Sequence, residues 1–209
     1  MKFSHPLMQS NFTKSDIIAA TKILRKKNII LTQSKQVQEF EKKWSKWLGV
    51  KYTVFVNSGS SANFLTMAAL KLLYGKGEII VPSLTWVSDI VSVIQNNFKP
   101  VFVDINPKNL CMSESQIIKK VNNKTLAVFM THVQGFNGLS NKLISFLKKR
   151  KILLIEDVCE SHGATFNNKK LGTFGKISNF SFYYAHHMST IEGGAVCTND
   201  KNVYEIIRI

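Results

Sequence analysis

From residue 52 onward, short apolar runs rich in β-branched residues alternate with stretches whose apolar positions recur every three to four residues. The runs "YTVFV" (52–56), "EIIVP" (78–82), "KPVFVDI" (99–105), "LAVFMTHV" (126–133) and "KILLIED" (151–157) predict strands, the last being the final one of clear parallel type. The intervening "NSGSSANFLTMAALKLL", "TWVSDIVSVIQNN", "SESQIIKKV" and "SNKLISFLKKR" predict helices. Strands apolar on both faces and joined by helical crossovers imply an α/β fold, a mostly parallel sheet sandwiched by helices. After residue 175 the pattern changes to two strands, "NFSFYY" and "GGAVCTN", joined by a segment with adjacent histidines, His186 and His187. Near the start, "SDIIAATKILRKKN" is a well-patterned helix. The expected division is an N-terminal arm and helix over 1–31 and a large domain over 32–209. "DKNVYEIIRI" starts a helix at Asp200 and stops without a capping signal, so the large domain is expected to be incomplete at its C-terminus.

Composition narrows the class. A chain of 209 residues, 44% hydrophobic with four prolines, can bury a substantial core. No apolar run approaches the roughly 18–20 residues that cross a bilayer, and the first residues lack the apolar core of a secretory signal. Cys111, Cys159 and Cys197 are too scattered for a disulfide framework, and no metal-ligand spacing is present. A cytoplasmic protein without a metal is the expectation. The net charge of +15 is spread along the chain, and no basic cluster interleaves with aromatic residues. Anionic small molecules therefore fit better than nucleic acid as partners.

Several residues carry candidate chemistry. In "VNSGSSANF" a strand feeds Ser60 and Ser61 into a helix, where backbone N–H groups and hydroxyls suit a phosphate; an ordinary N-cap has the same look. Asp157 ends a buried strand, where ligands of open α/β sheets collect, and it also fits a helix N-cap. Glu160 suits a capping box or a second polar group beside a ligand. Trp86 follows another strand end, as a flat face for a planar cofactor or as part of the core. His5, His132 and His162 are assigned no chemical role.

Taken in order, these features and the segment Ser181-Phe182-x-x-x-His186-x5-Glu192-Gly193-Gly194 resemble the fold-type-I pyridoxal-phosphate enzymes. Specifically they resemble the DegT-like sugar aminotransferase family, whose motif has a lysine where His186 stands. That lysine holds the cofactor covalently, and an imidazole cannot. The histidine pair, "EDVCESHGATF" and "GTFG" are similar to the subgroup of GDP-4-keto-6-deoxymannose 3-dehydratases, and the resemblance covers residues 6–205.

The resemblance implies pyridoxal 5'-phosphate and its amine form, pyridoxamine 5'-phosphate, as cofactors. Ser60, Ser61 and Ser181 would hold the phosphate, Trp86 would stack on the ring, Asp157 would keep the ring nitrogen protonated and Glu160 would sit nearby. His186 would be catalytic, removing and returning protons while a nucleotide-linked 4-keto-6-deoxy sugar loses its 3-hydroxyl and glutamate regenerates the amine. Family register favours His186 over His187, and on a strand only one of two adjacent residues faces the ring. The resemblance further implies a homodimer and a small C-terminal domain that this chain lacks, which would leave it inactive by itself. A nucleotide-sugar aminotransferase and a catalytically inactive family relative are the alternatives.

Overall fold

Seven strands form one sheet in which a single strand runs against the rest. The computed structural model describes residue 10 and residues 12–209. His5 and the first nine residues of the expected arm lie outside the described residues. The strands are β1 (Tyr52–Val56), β2 (Glu78–Pro82), β3 (Lys99–Val103), β4 (Thr125–Thr131), β5 (Leu153–Asp157), the small hairpin β6 (Thr165–Phe166) and β7 (Lys169–Lys170), β8 (Ile177–Ser181) and β9 (Gly194–Thr198). The helices are α1 (Lys14–Leu24), α2 (Lys35–Leu48), α3 (Gly59–Tyr74), α4 (Val87–Gln95), α5 (Glu114–Lys120), α6 (Asn141–Lys149) and α7 (Lys201–Arg208).

The sheet order is β1-β9-β8-β5-β4-β2-β3. All neighbours pair in parallel except β9, which is antiparallel to both β8 and β1. The fold is therefore the expected α/β sandwich, with two differences. The parallel set does not end at β5, because β8 joins it with Ile155 opposite Ile177 and Asp157 opposite Asn179. The segment between β8 and β9 is a turn-rich crossing, so His186 and His187 do not sit on a strand and the alternation argument for choosing between them has no footing.

Burial on both faces explains why the central strands read as unbroken apolar runs. Ile79, Val81, Phe129 and Ile155 pack with α3, α4 and α7 through Met67, Leu70, Val93, Val203 and Ile207. Ile80, Val128, Met130 and Leu154 pack on the other side with α2 and α6 through Trp44, Leu48, Leu143 and Leu147. Successive strand residues face opposite ways, so each strand serves both layers.

The helix starts follow local chemistry. The Ser58 hydroxyl accepts the Ser61 N–H at 3.1 Å, Ser140 caps α6, and Asp200 caps α7. Helix α2 ends at Gly49 with φ 94°, a left-handed turn that glycine adopts freely.

Candidate active site

Five connections that leave the carboxyl ends of parallel strands converge on one cavity of about 670 Å³. Ser58, Gly59 and Ser60 come from the turn after β1, Leu84 and Trp86 from that after β2, and Thr131 and Gln134 from β4 and its exit. Asp157, Cys159 and Glu160 come from β5, and Ser181, Tyr183, His186 and Glu192 from β8 and the crossing to β9.

Two close backbone approaches draw these pieces together. A Cβ on Gly59 would stand 2.7 Å from the Ser181 Cβ and 3.2 Å from the Cys159 Sγ. A Cβ on Gly194 would collide with the backbone of Ser58 and Gly59. Only glycine lets the α3 N-terminus, the end of β8 and the start of β9 touch. The N–H groups and positive dipole end of α3 then point into the same space as the Ser60 and Ser181 side chains.

Of the residues singled out in the sequence, Ser60, Trp86, Asp157, Glu160, Ser181 and His186 all line the cavity. Ser61 does not; its hydroxyl accepts from Ser58 at 3.1 Å at the helix start. Trp86 is 69% exposed, presenting its ring at the cavity mouth instead of packing into the core. Asp157 is 4% exposed and accepts the Cys159 N–H at 2.9 Å and the Asn63 amide at 3.1 Å. Glu160 accepts the Gln134 N–H at 3.1 Å.

His186 is half-buried, and burial is the main cause holding its imidazole below the usual value. The charges of Glu160 and Asp157 oppose that shift, and His187 adds to it. No lysine is among the described residues lining the cavity.

His132 belongs to the scaffold. Its Nδ1 accepts the Gly138 N–H at 3.2 Å, which directs the Nε2 hydrogen at Glu156, 3.1 Å away. Glu156 also takes the N–H groups of Gly172, Phe174 and Gly175 at 2.7–2.9 Å. The His132 carbonyl accepts the Ser161 hydroxyl at 2.6 Å, tying together the two loops that carry Gln134 and Glu160. Among the described residues no group of histidines, cysteines and acids could hold a metal.

The sequence reading missed a polar layer beneath the cavity. Asn63 of α3 donates to Asp89 at 2.6 Å as well as to Asp157, and its oxygen accepts from Asn179 at 2.8 Å. Asn179 in turn accepts the Thr66 hydroxyl at 2.8 Å. The available signal was Asn63 and Thr66, three apart on the face of α3 that also carries Ala62, Met67 and Leu70. Polar residues on a core-facing stripe call for buried partners.

Residues 11–209 match the DegT/DnrJ/EryC1/StrS aminotransferase family, and the chain belongs to that family. GDP-4-keto-6-deoxy-D-mannose 3-dehydratase of Escherichia coli O55:H7 is 36% identical over 209 residues, covering 98% of this chain and 53% of that protein. GDP-perosamine synthase of Escherichia coli O157:H7 is 35% identical over 176 residues, covering 84% of this chain and 48% of the relative. The solved E. coli 3-dehydratase with bound hydrated PLP superposes with a TM-score of 0.92 at 36% identity, covering 98% of this chain and 54% of the other. The chain spans about half the length of the curated relatives it matches.

Proposed function

We propose that this chain, with residues 32–209 as its cofactor-binding domain, serves an enzyme that removes the 3-hydroxyl from a nucleotide-linked 4-keto-6-deoxy sugar. Its proposed cofactor is pyridoxal phosphate in the amine form, regenerated by glutamate. One observation carries the reading: an imidazole, His186, stands in the cavity beside Asp157, and no lysine lines it among the described residues. Two relatives named as GDP-4-keto-6-deoxy-D-mannose 3-dehydratases make the GDP-linked sugar the first substrate to assay.

The residues present fit the cofactor. Gly59, whose Cβ would strike Ser181, leaves room at the α3 N-terminus for a phosphate to meet N–H groups. The hydroxyls of Ser60 and Ser181 would complete that cradle; Ser61 would contribute its helix-start backbone, since its hydroxyl is turned to Ser58. Trp86 would cover one ring face, and the buried Asp157 carboxylate would accept the ring N–H. When bound, the cofactor supplies an amine for the keto group and a protonated ring that withdraws electrons from the adjacent carbon.

His186 would do the proton work. Its lowered affinity for protons leaves the imidazole neutral at neutral pH, free to take a proton from carbon and to deliver one to a departing hydroxyl. Glu160 faces it and would favour the protonated imidazole between those two transfers. The exposed Leu84, Trp86 and Val87 at the mouth give a second copy an apolar surface to cover, which supports a homodimer. No helix among the described residues is long and apolar enough to cross a membrane. Three free thiols support a cytoplasmic location.

The test is incubation of the full-length protein with GDP-4-keto-6-deoxymannose, pyridoxal phosphate and glutamate, with product analysis by mass spectrometry. A 3-deoxy keto-sugar with release of 2-oxoglutarate is expected. An amino sugar as sole product would replace this reading with the aminotransferase one.

A further inference from the structure

Behind Asp157 lies a second carboxyl that the proposed chemistry does not use. Asp89, on the first turn of α4, has no exposed surface. Asn63 spans the two acids, donating 2.6 Å to Asp89 Oδ1 and 3.1 Å to Asp157 Oδ2. The hydroxyls of Thr85 and Thr131 meet the other Asp89 oxygen at 2.5 and 2.6 Å, and stand 3.0 Å from each other. Among the described residues, no ion pair involves either acid.

Two carboxylates sharing one amide in a dry interior cannot both stay ionised. Asp157 lines the cavity, where its charge can be met by a ligand; Asp89 has no such outlet. Burial first, and the Asp157 charge second, hold the Asp89 carboxyl well above the usual carboxylate range. Threonine hydroxyls both donate and accept, so a protonated Asp89 can donate to one of them and leave no group unpartnered. The other titratable group against the pair is the Cys159 thiol, pushed well up by burial and by Asp157. Glu160, His162 and His186 face the same space from the cavity side.

We propose that Asp89 is a positioning residue that carries a proton at neutral pH and, through Asn63, aims the single negative charge of the pair, on Asp157, into the cavity. One negative charge then faces one ring N–H, provided the cavity holds the cofactor proposed above, on which reading this role rests.

Infrared spectroscopy of the protein without cofactor reads the proton directly, because a carboxylic acid has a carbonyl stretch separate from carboxylate bands. One such band is expected at neutral pH, lost in Asp89→Asn. Its titration midpoint should move to lower pH in Asp157→Asn, where the neighbouring charge is gone. Absence of the band, its survival in Asp89→Asn, or a midpoint indifferent to Asp157→Asn overturns the proposal.

Titration with pyridoxamine 5'-phosphate then reads positioning. Asp89→Asn, which retains an acceptor for Asn63, is expected to bind roughly tenfold more tightly than Asp89→Leu, and equal affinities overturn the role. If the wild-type protein takes up no pyridoxamine phosphate, the cofactor reading fails, while the infrared result still decides where the proton sits.

Discussion

The imidazole rings of His162 and His186 lie with their centroids 6.1 Å apart, and His187 stands 6.0 Å from the same His162 ring. His162 packs among Trp44, Phe180 and Phe182. Burial first, then the two neighbouring imidazoles, hold its pKa down at about 4. His162 therefore stays neutral where an unfolded-chain histidine would already be protonated.

That difference sets a pH dependence of stability. Between about pH 6.5 and 4 the unfolded chain binds a proton at His162 that the folded chain refuses, so stability falls as pH falls through this window and is fully present above it. The full shift corresponds to about 3 kcal/mol. Urea unfolding at pH 7 and pH 4.5 should show a smaller loss in His162→Phe than in the wild type.

Replacing His186, the proton carrier of the proposed function, should change the chemistry. His186→Lys is expected to give a protein that borohydride fixes covalently to pyridoxal phosphate at residue 186, with any turnover moving toward amino-sugar product. Mass spectrometry of the reduced protein checks this. A wild-type lysine adduct formed under the same conditions would contradict the proposed role of His186.

Cofactor retention should depend on the floor and the lid of the cavity by different amounts. Asp157→Ala removes a charge-assisted hydrogen bond, and a loss of about 10–100-fold in pyridoxamine phosphate affinity is expected. Trp86→Ala removes one stacking face at an exposed site, and about tenfold is expected. Fluorescence titration separates the two.

Glu156→Leu should be the most damaging of these changes to the fold. It orphans three backbone N–H groups, that of Gly172 buried and those of Phe174 and Gly175 part-buried, and the buried His132 Nε2, at a cost of about 3–5 kcal/mol. A lowered urea midpoint with an unchanged denaturant slope is the expected result.

The central strands were legible because burial on both faces leaves them nothing but apolar residues, as in Ile79-Ile80-Val81 and Ala127 through Met130. Helix α2 was not read: six of the fourteen residues of KQVQEFEKKWSKWL are charged, and they dilute the stripe of Phe40, Trp44 and Leu48 that faces the core. The parallel pairing of β8 was hidden because Ser178 and Asn179 interrupt an apolar run, and their burial is explained only by partners outside the strand, Gly172 in the preceding loop and Thr66 on α3.

Asp89 failed for a related reason. In the sequence it is an acid in the first turn of a helix, where the dipole favours one at the surface. Nothing local announces that Asn63, 26 residues earlier, and Thr131, 42 residues later, close over it. The cavity-lining residues were legible mainly through their order along the chain, with Ser61 the one whose hydroxyl points elsewhere.

The crossing from Ser181 to Gly194 begins and ends at paired residues of adjacent strands, and its far end rests on the turn at Ser58 and Gly59. It is a loop clasped at its neck. The clasp, the sheet and the start of α3 are held by contacts other than the His186 side chain. On the proposed function, the choice between stripping oxygen from a sugar and adding nitrogen to it would turn on one side chain, without refolding anything around it.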